Sequence, residues 1–297
     1  MPAKKYAETA FYEFDTCYAK AVDLQRRVFG DERADALQAA KGKSTRTDFM
    51  NAILWGWFFH RTEALDAQAR ALAIMGNLIP KSQEKALRDY AQWGLAAGLH
   101  REKVREAIFT LSIYGGIPTT EWALGIVDNL CSELDAKGWQ PMVPSGSLFE
   151  GVEHNYYDFE ANHLDGFEAR ARRLGDEGGT TEERLARTGA SAIGDFGSIT
   201  WGWMMHRPIV SPRERYFFLL GADSANKGYL ALKDHTHWAL THGVTRAEVQ
   251  EGLMMLNLFS GWPANREAGT AVTQLFAELD KKAAGEQPAA AGNRAGG

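Results

Sequence analysis

The sequence predicts an all-α protein built as a tandem pair of helical units. Three observations carry that reading. The segment Trp55–Arg61 (WGWFFHR) returns as Trp201–Arg207 (WGWMMHR), with five of seven residues identical. Apolar residues recur at three-to-four spacing, as in Val104, Ile108, Leu111 and Tyr114, and again in Val249, Leu253, Leu256 and Phe259, which is the period of one helix face. No stretch shows the strict alternation of a half-buried strand.

The repeat sets the element order. Trp55 matches Trp201 at an offset of 146, while Gly76/Gly221, Trp93/Trp238, Gly98/Gly243 and Pro118/Pro263 match at 145. One residue is therefore inserted in the first copy, near Thr62 to Ala64. Upstream, RRVFGDERADALQ (26–38) resembles RRLGDEGGTTEERLA (172–186). The copies are placed at 15–135 and 160–280. Between them, 136–159 contains GWQPMVPSGSLFEG and reads as a linker, and 281–297 is poor in large apolar residues and is expected to be disordered. Ser211-Pro212-Arg213-Glu214 is a capping box with proline at the first helical position. Thr245-Arg246-Ala247-Glu248 is a second box, after Gly243 has ended the preceding helix.

Composition narrows the function classes. The 297 residues carry a net charge of −5 and no basic cluster, so no electrostatic footprint for nucleic acid is present. No apolar run approaches a membrane span, and the N-terminus lacks the apolar core of a secretory signal. A cytoplasmic protein is expected. Cys17 and Cys131 form no C-x-x-C and predict neither a zinc site nor a redox pair. There is no G-x-S-x-G elbow, phosphate loop or dinucleotide fingerprint.

The candidate chemistry lies in the second copy. In WGWMMHR, Trp203, His206 and Arg207 share one helix face, and Trp201, Met204 and Met205 another. One face can wall a pocket in which Arg207 or His206 meets an anion. The alternative is a helix packed on its repeat partner, which the tryptophans and methionines fit because they occur in both copies. In KDHTHWALTHG (233–243), His235 shares a face with Leu232, Ala239 and His242, and His237 points elsewhere. The spacing is not that of paired zinc ligands on a helix, so no metal is expected. A histidine in an apolar helix serves as a proton donor or acceptor, or is a satisfied core residue. The first copy has Tyr90 for His235, Gln92 for His237 and Ala97 for His242. Arg70 and Arg215 align with each other just inside helix starts, against the macrodipole. Each is best explained by a carboxylate, from a side chain or from a ligand.

These motifs resemble the carboxymuconolactone decarboxylase family, which shares its fold with alkylhydroperoxidase D proteins. Trp201, Gly202, Arg207, Pro208 and Arg215 fit the family's W-G-x-x-W-x-R-P and helix-start pattern. His235 lies eight residues before Gly243, and Phe259-Ser260-Gly261-Trp262-Pro263 closes the motif. Trp55, Gly56, Arg61, Arg70 and Tyr114 to Pro118 fit the first copy. The departures are specific. The peroxidase branch requires a C-x-x-C where this chain has Gly228 and Ala231, or Gln83 and Ala86, so thiol peroxidase activity is not expected. The decarboxylase branch carries a glutamate where this chain has Leu230 and Ala231, and the second family tryptophan is Met205 or Phe59.

The resemblance implies a tandem duplication of an alkylhydroperoxidase D-like domain, with a degenerate first repeat. It implies a cofactor-independent lyase, a decarboxylase of a small lactone or unsaturated organic acid. His235 is the expected proton donor, with Arg215 and His206 as further catalytic groups. Trp201, Trp203, Arg207, Phe259, Tyr90 and Arg70 are expected to contact the substrate. Another proton-transfer enzyme, or a ligand-binding protein without turnover, is the alternative. A homo-oligomer, such as three two-repeat chains, is implied by the family's ring assemblies.

Overall fold

The structure, a computed structural model, describes residues 13–149, 200–201 and 204–284. These hold eleven α-helices and, among the described residues, no strand. Phe14–Phe29 (α1), Asp31–Ala40 (α2) and Thr45–Asn51 (α3) lead into a π-helical turn at Ala52–Trp57. The next four are Ala67–Leu78 (α4), Glu84–Ala96 (α5), Arg101–Tyr114 (α6) and Ile117–Ala136 (α7). The last four are Pro212–Asn226 (α8), Tyr229–Thr241 (α9), Arg246–Ser260 (α10) and Trp262–Ala283 (α11).

Both predicted capping boxes are present, Ser211 with Glu214 and Thr245 with Glu248. Each satisfies two backbone donors that a helix start otherwise leaves open. Gly243, at φ +87°, follows the last turn of α9 in a conformation that favours glycine. The predicted stripes face inward: Val104, Ile108 and Leu111 on α6, and Val249, Leu253 and Leu256 on α10, are all buried.

Helices α4 and α8 cross at the centre. Residues from Ala69 to Leu78 and from Glu214 to Ser224 are buried without interruption, as expected of helices covered on every side. Glycine makes the approach possible. A Cβ on Gly76 would lie 2.0 Å from the Phe218 carbonyl oxygen, and one on Gly221 would lie 1.9 Å from that of Ala73. Gly56, in the first WGW motif, lets the π turn meet α1 in the same way, with a Cβ there reaching 1.8 Å from the Cys17 carbonyl oxygen. That glycine has a packing role.

The flanking helices pack crosswise: α10 rests on α4, and α6 rests on α8. Two buried ion-pair clusters follow the same pattern. Arg70 Nη2 lies 2.7 Å from Glu251 Oε1, and Arg61 donates to both oxygens of that carboxylate. In the other cluster Arg207 grips Glu106 through Nε at 2.6 Å and Nη2 at 2.9 Å, while Arg215 Nη2 approaches the same carboxylate at 3.4 Å. Lys81 and Asn77, near the end of α4, add contacts to Phe259 and Ser260 at the end of α10. The described part of the predicted linker is tied down. Val143 N–H donates to Ala96 C=O, Gly146 to Gly98 and Phe149 to Ile209. Residues 150–159 of the linker and 285–297 of the tail lie outside the described residues, as do most of the upstream residues of the second copy.

Candidate active site

The buried face of α9 is Leu232, His235, Thr236 and Ala239, an i, i+3, i+4, i+7 stripe that turns the histidine inward. His242, expected on the same face, is exposed at the end of the helix. His235 is 2% exposed and both ring nitrogens are engaged. Nδ1 lies 2.7 Å from Oδ2 of Asp223, which is itself 4% exposed on the last turn of α8. Nε2 lies 2.9 Å from the hydroxyl of Tyr114, the final residue of α6. The tyrosine ring stands nearly perpendicular to the imidazole at 86°, with centroids 4.9 Å apart. Trp201 packs 5.8 Å from the imidazole, and Met205, Leu219, Tyr114 and Trp238 complete an apolar surround.

This arrangement orders the proton positions. An ionised Asp223 only accepts, so the ring nitrogen facing it carries hydrogen. Nε2 is then the nitrogen whose protonation can change, and it faces Tyr114. Aspartate, histidine and tyrosine thus form a line running from the core to a half-buried phenol. A carboxylate behind a histidine fixes its tautomer and orientation and stabilises the imidazolium when it forms.

Arg215 is fully buried and does not share that line. Its Nη1 donates to Thr110 Oγ1 at 2.5 Å, and Nη2 donates to the Arg207 carbonyl at 2.9 Å. Thr110 lies one turn before Tyr114 on α6, so Arg215 anchors the helix that presents the phenol. Burial pushes the Arg215 guanidinium down, and the Glu106 carboxylate opposes that effect. The carboxylate foreseen for this arginine is therefore a side chain of the protein, and the same is true of Arg70 with Glu251. Arg207, also expected to meet substrate, makes a bidentate contact with Glu106.

Tyr90 and Phe259 meet each other rather than His235, with ring centroids 5.2 Å apart. Around them Trp55 stacks on Tyr90 at 5.7 Å and Phe59 on Trp93 at 4.0 Å. Burial pushes the Tyr90 phenol well above the ordinary tyrosine range. Trp203 and the side chain of His206 lie outside the described residues. Sequence reasoning missed Asp223, Glu106 and Glu251, and placed Tyr114 in an apolar stripe and in the motif running to Pro118 without giving it a chemical role. The copy-to-copy comparison that singled out His235 carries the signal for two of them. Asp223 aligns with Leu78, and Tyr114 aligns with Phe259. Among the described residues no group of three or more metal-binding side chains converges. A groove of about 490 Å³ between α10 and α11, walled by Leu253, Met254, Trp262 and Phe276, contains none of Asp223, His235 or Tyr114.

No family profile matches the chain. Two curated proteins are similar to part of it. An uncharacterized 15.0 kDa protein from the nqo9-nqo10 intergenic region of Paracoccus denitrificans is 36% identical over 84 residues, 27% of this chain and 62% of that protein. Nitrosuccinic acid decarboxylase npaB of Metarhizium robertsii is 32% identical over 68 residues, 23% of this chain and 48% of that enzyme. The matched segments span less than two thirds of either relative. The chain thus shares distant, partial similarity with a decarboxylase, consistent with the motif resemblance.

Proposed function

We propose that this protein is a cofactor-independent lyase that decarboxylates a small organic acid, with His235 as the source of the proton that replaces carbon dioxide. The observation that carries this reading is the buried Asp223–His235–Tyr114 line. An acid–base group is held there by a carboxylate inside an apolar surround. Decarboxylation without a cofactor needs an electron sink next to the departing carboxylate and an acid to protonate the carbanion. A lactone, a conjugated carbonyl or a nitro group provides the sink, and the partial similarity to nitrosuccinic acid decarboxylase favours acids of that type. Aromatic walls at Trp201 and Trp238 exclude water and strengthen the electrostatic contacts.

We further propose that the chain is a tandem duplication with one working site. Three pairs support it, each related by 145 or 146 residues: Gly76 with Gly221, Glu106 with Glu251, and Arg61 with Arg207. The positions that match Asp223, His235 and Tyr114 hold Leu78, Tyr90 and Phe259, which join the hydrophobic core, with Trp55 and Phe259 both packed on Tyr90. That pattern belongs to a filled core.

Carbon dioxide release and product mass should be measured on lactone, unsaturated and 2-nitro carboxylic acids. Wild type is expected to release carbon dioxide from at least one. His235→Gln is expected to lose about 10²-fold or more in kcat, the usual contribution of a positioned acid or base. Turnover by the variant at the wild-type rate would remove His235 from the mechanism. Turnover without carbon dioxide would replace the decarboxylase reading with another proton transfer at the same site.

A further inference from the structure

We infer that the Tyr114 hydroxyl is the catalytic group that delivers the proton to the substrate, and that Asp223 and His235 act through it as a relay. The inference rests on the lyase reading and names the atom that touches the reacting carbon. At 2% exposure, with Asp223 on one nitrogen and Tyr114 on the other, the imidazole meets the outside through the phenol. Tyr114 is only half-buried and ends α6, where the chain turns at Gly115 and Gly116.

The duplication provides an independent argument. Position 114 lies in the first half of the chain, whereas its hydrogen-bonding partners lie in the second. Its counterpart Phe259 lies in the second half and packs on Tyr90 of the first. The polar set Asp223, His235 and Tyr114 thus gathers in one place, and the apolar set Leu78, Tyr90 and Phe259 aligns with it residue by residue. Tyrosine stands beside the histidine although it comes from the other half of the sequence, and phenylalanine stands beside Tyr90. A hydroxyl kept only for packing has no reason to keep company with a histidine held by a buried aspartate. Arg215 strengthens the arrangement as a positioning residue by holding Thr110, one turn before Tyr114.

The proton accounting is closed. With His235 doubly protonated, Nδ1–H donates to Asp223 and Nε2–H donates to the Tyr114 oxygen, which leaves the phenol's own hydrogen directed away from the ring. The substrate's carbon–carboxylate bond breaks, carbon dioxide leaves, and the electron pair moves into the adjacent sink. The resulting carbanion takes the hydrogen from Tyr114 while the phenol oxygen takes the one from Nε2. A proton taken up from solvent at the Tyr114 oxygen, with the phenol's hydrogen passing on to Nε2, then restores the protonated His235. One proton is consumed per carbon dioxide released, and no oxidant or reductant is required.

Two measurements test the inference separately from the lyase reading. First, 3-fluorotyrosine is placed at position 114 and its fluorine resonance is followed against pH without substrate, in the otherwise wild-type chain and with Asp223→Asn. The relay predicts that the resonance reports the protonation of His235 and that Asp223→Asn moves this transition to lower pH. A resonance unmoved across the imidazole titration, as followed by its own ring signals, would overturn the inference whether or not a substrate is known. Second, on any acid from which the wild type releases carbon dioxide, Tyr114→Phe is expected to lower kcat by about 10²-fold with KM within about threefold. Full kcat in Tyr114→Phe together with loss in His235→Gln would overturn the role of Tyr114 and leave the lyase reading intact. Loss of the lyase reading with the fluorine coupling preserved would leave the relay as a proton path of another reaction.

Discussion

Glu251 shows how a single carboxylate can hold a helix pair together. Burial raises its proton affinity, but hydrogen bonds from Arg61 and Arg70 more than offset that and hold the carboxyl below its ordinary range. Arg70 is fully buried, and removing its partner leaves an uncompensated charge in the core. Such removal costs about 3–5 kcal/mol, so Glu251→Ala is expected to lose about that much in denaturant unfolding. The sign with pH follows from the lowered carboxyl. Its stabilisation is complete above the unfolded glutamate value of about 4.3 and is lost as pH falls through the lower folded value. The stability of Glu251→Gln should therefore change less with pH on that acid limb than that of the wild type. Parallel limbs would show that the carboxylate is not depressed. The arginine half of this contact was legible from sequence, because an arginine near a helix start opposes the dipole and calls for an anion. The anion was not legible, since Glu251 lies 181 residues further along the chain.

At the scale of elements, helices, caps and stripes were readable because they depend on neighbours within four residues. Ser211 and Glu214, or Val249 and Leu253, state their local geometry in the sequence itself. The crossing of α4 and α8 was visible only as matching glycines. With a Cβ placed 1.9 Å from a carbonyl oxygen, Gly221→Ala must push the two helices apart. Overpacking of this kind costs about 1–3 kcal/mol or more, although alanine alone would favour a helix by up to about 1 kcal/mol. A lowered unfolding midpoint is the expected result, and an unchanged or raised one would show that the crossing is not tight. The aromatic cluster around Tyr90 is another case. The sequence offered Tyr90 and Phe259 as substrate contacts, and in the structure the two rings meet each other while Trp55 stacks on Tyr90 at 5.7 Å.

The whole molecule is organised by exchange between its halves. Arg70 needs Glu251, Arg215 needs Glu106, and α4 needs α8 to cover a face that is otherwise apolar. A chain truncated after residue 149 would expose that face and strand the buried Arg70 cation and the buried Glu106 carboxylate. It is expected to show no cooperative unfolding transition when expressed alone. A sharp thermal transition in that fragment would contradict the interdependence. The candidate site depends on the same exchange, because Tyr114 reaches His235 from the other half.

By itself the sequence determined the helical class, the pairing of similar segments and the helix starts, and it singled out His235 as a candidate. All of these follow from residue type at short spacing or from comparing one copy with the other. Only the tertiary structure decided which residues surround that histidine. Asp223 and Tyr114 lie 12 and 121 residues away in the chain. It also decided that Arg70 and Arg215 bind side chains of the protein itself. Charge and hydrogen-bond partners in a core are chosen by proximity in space, and a periodic pattern along one helix carries no record of which distant helix will lie against it.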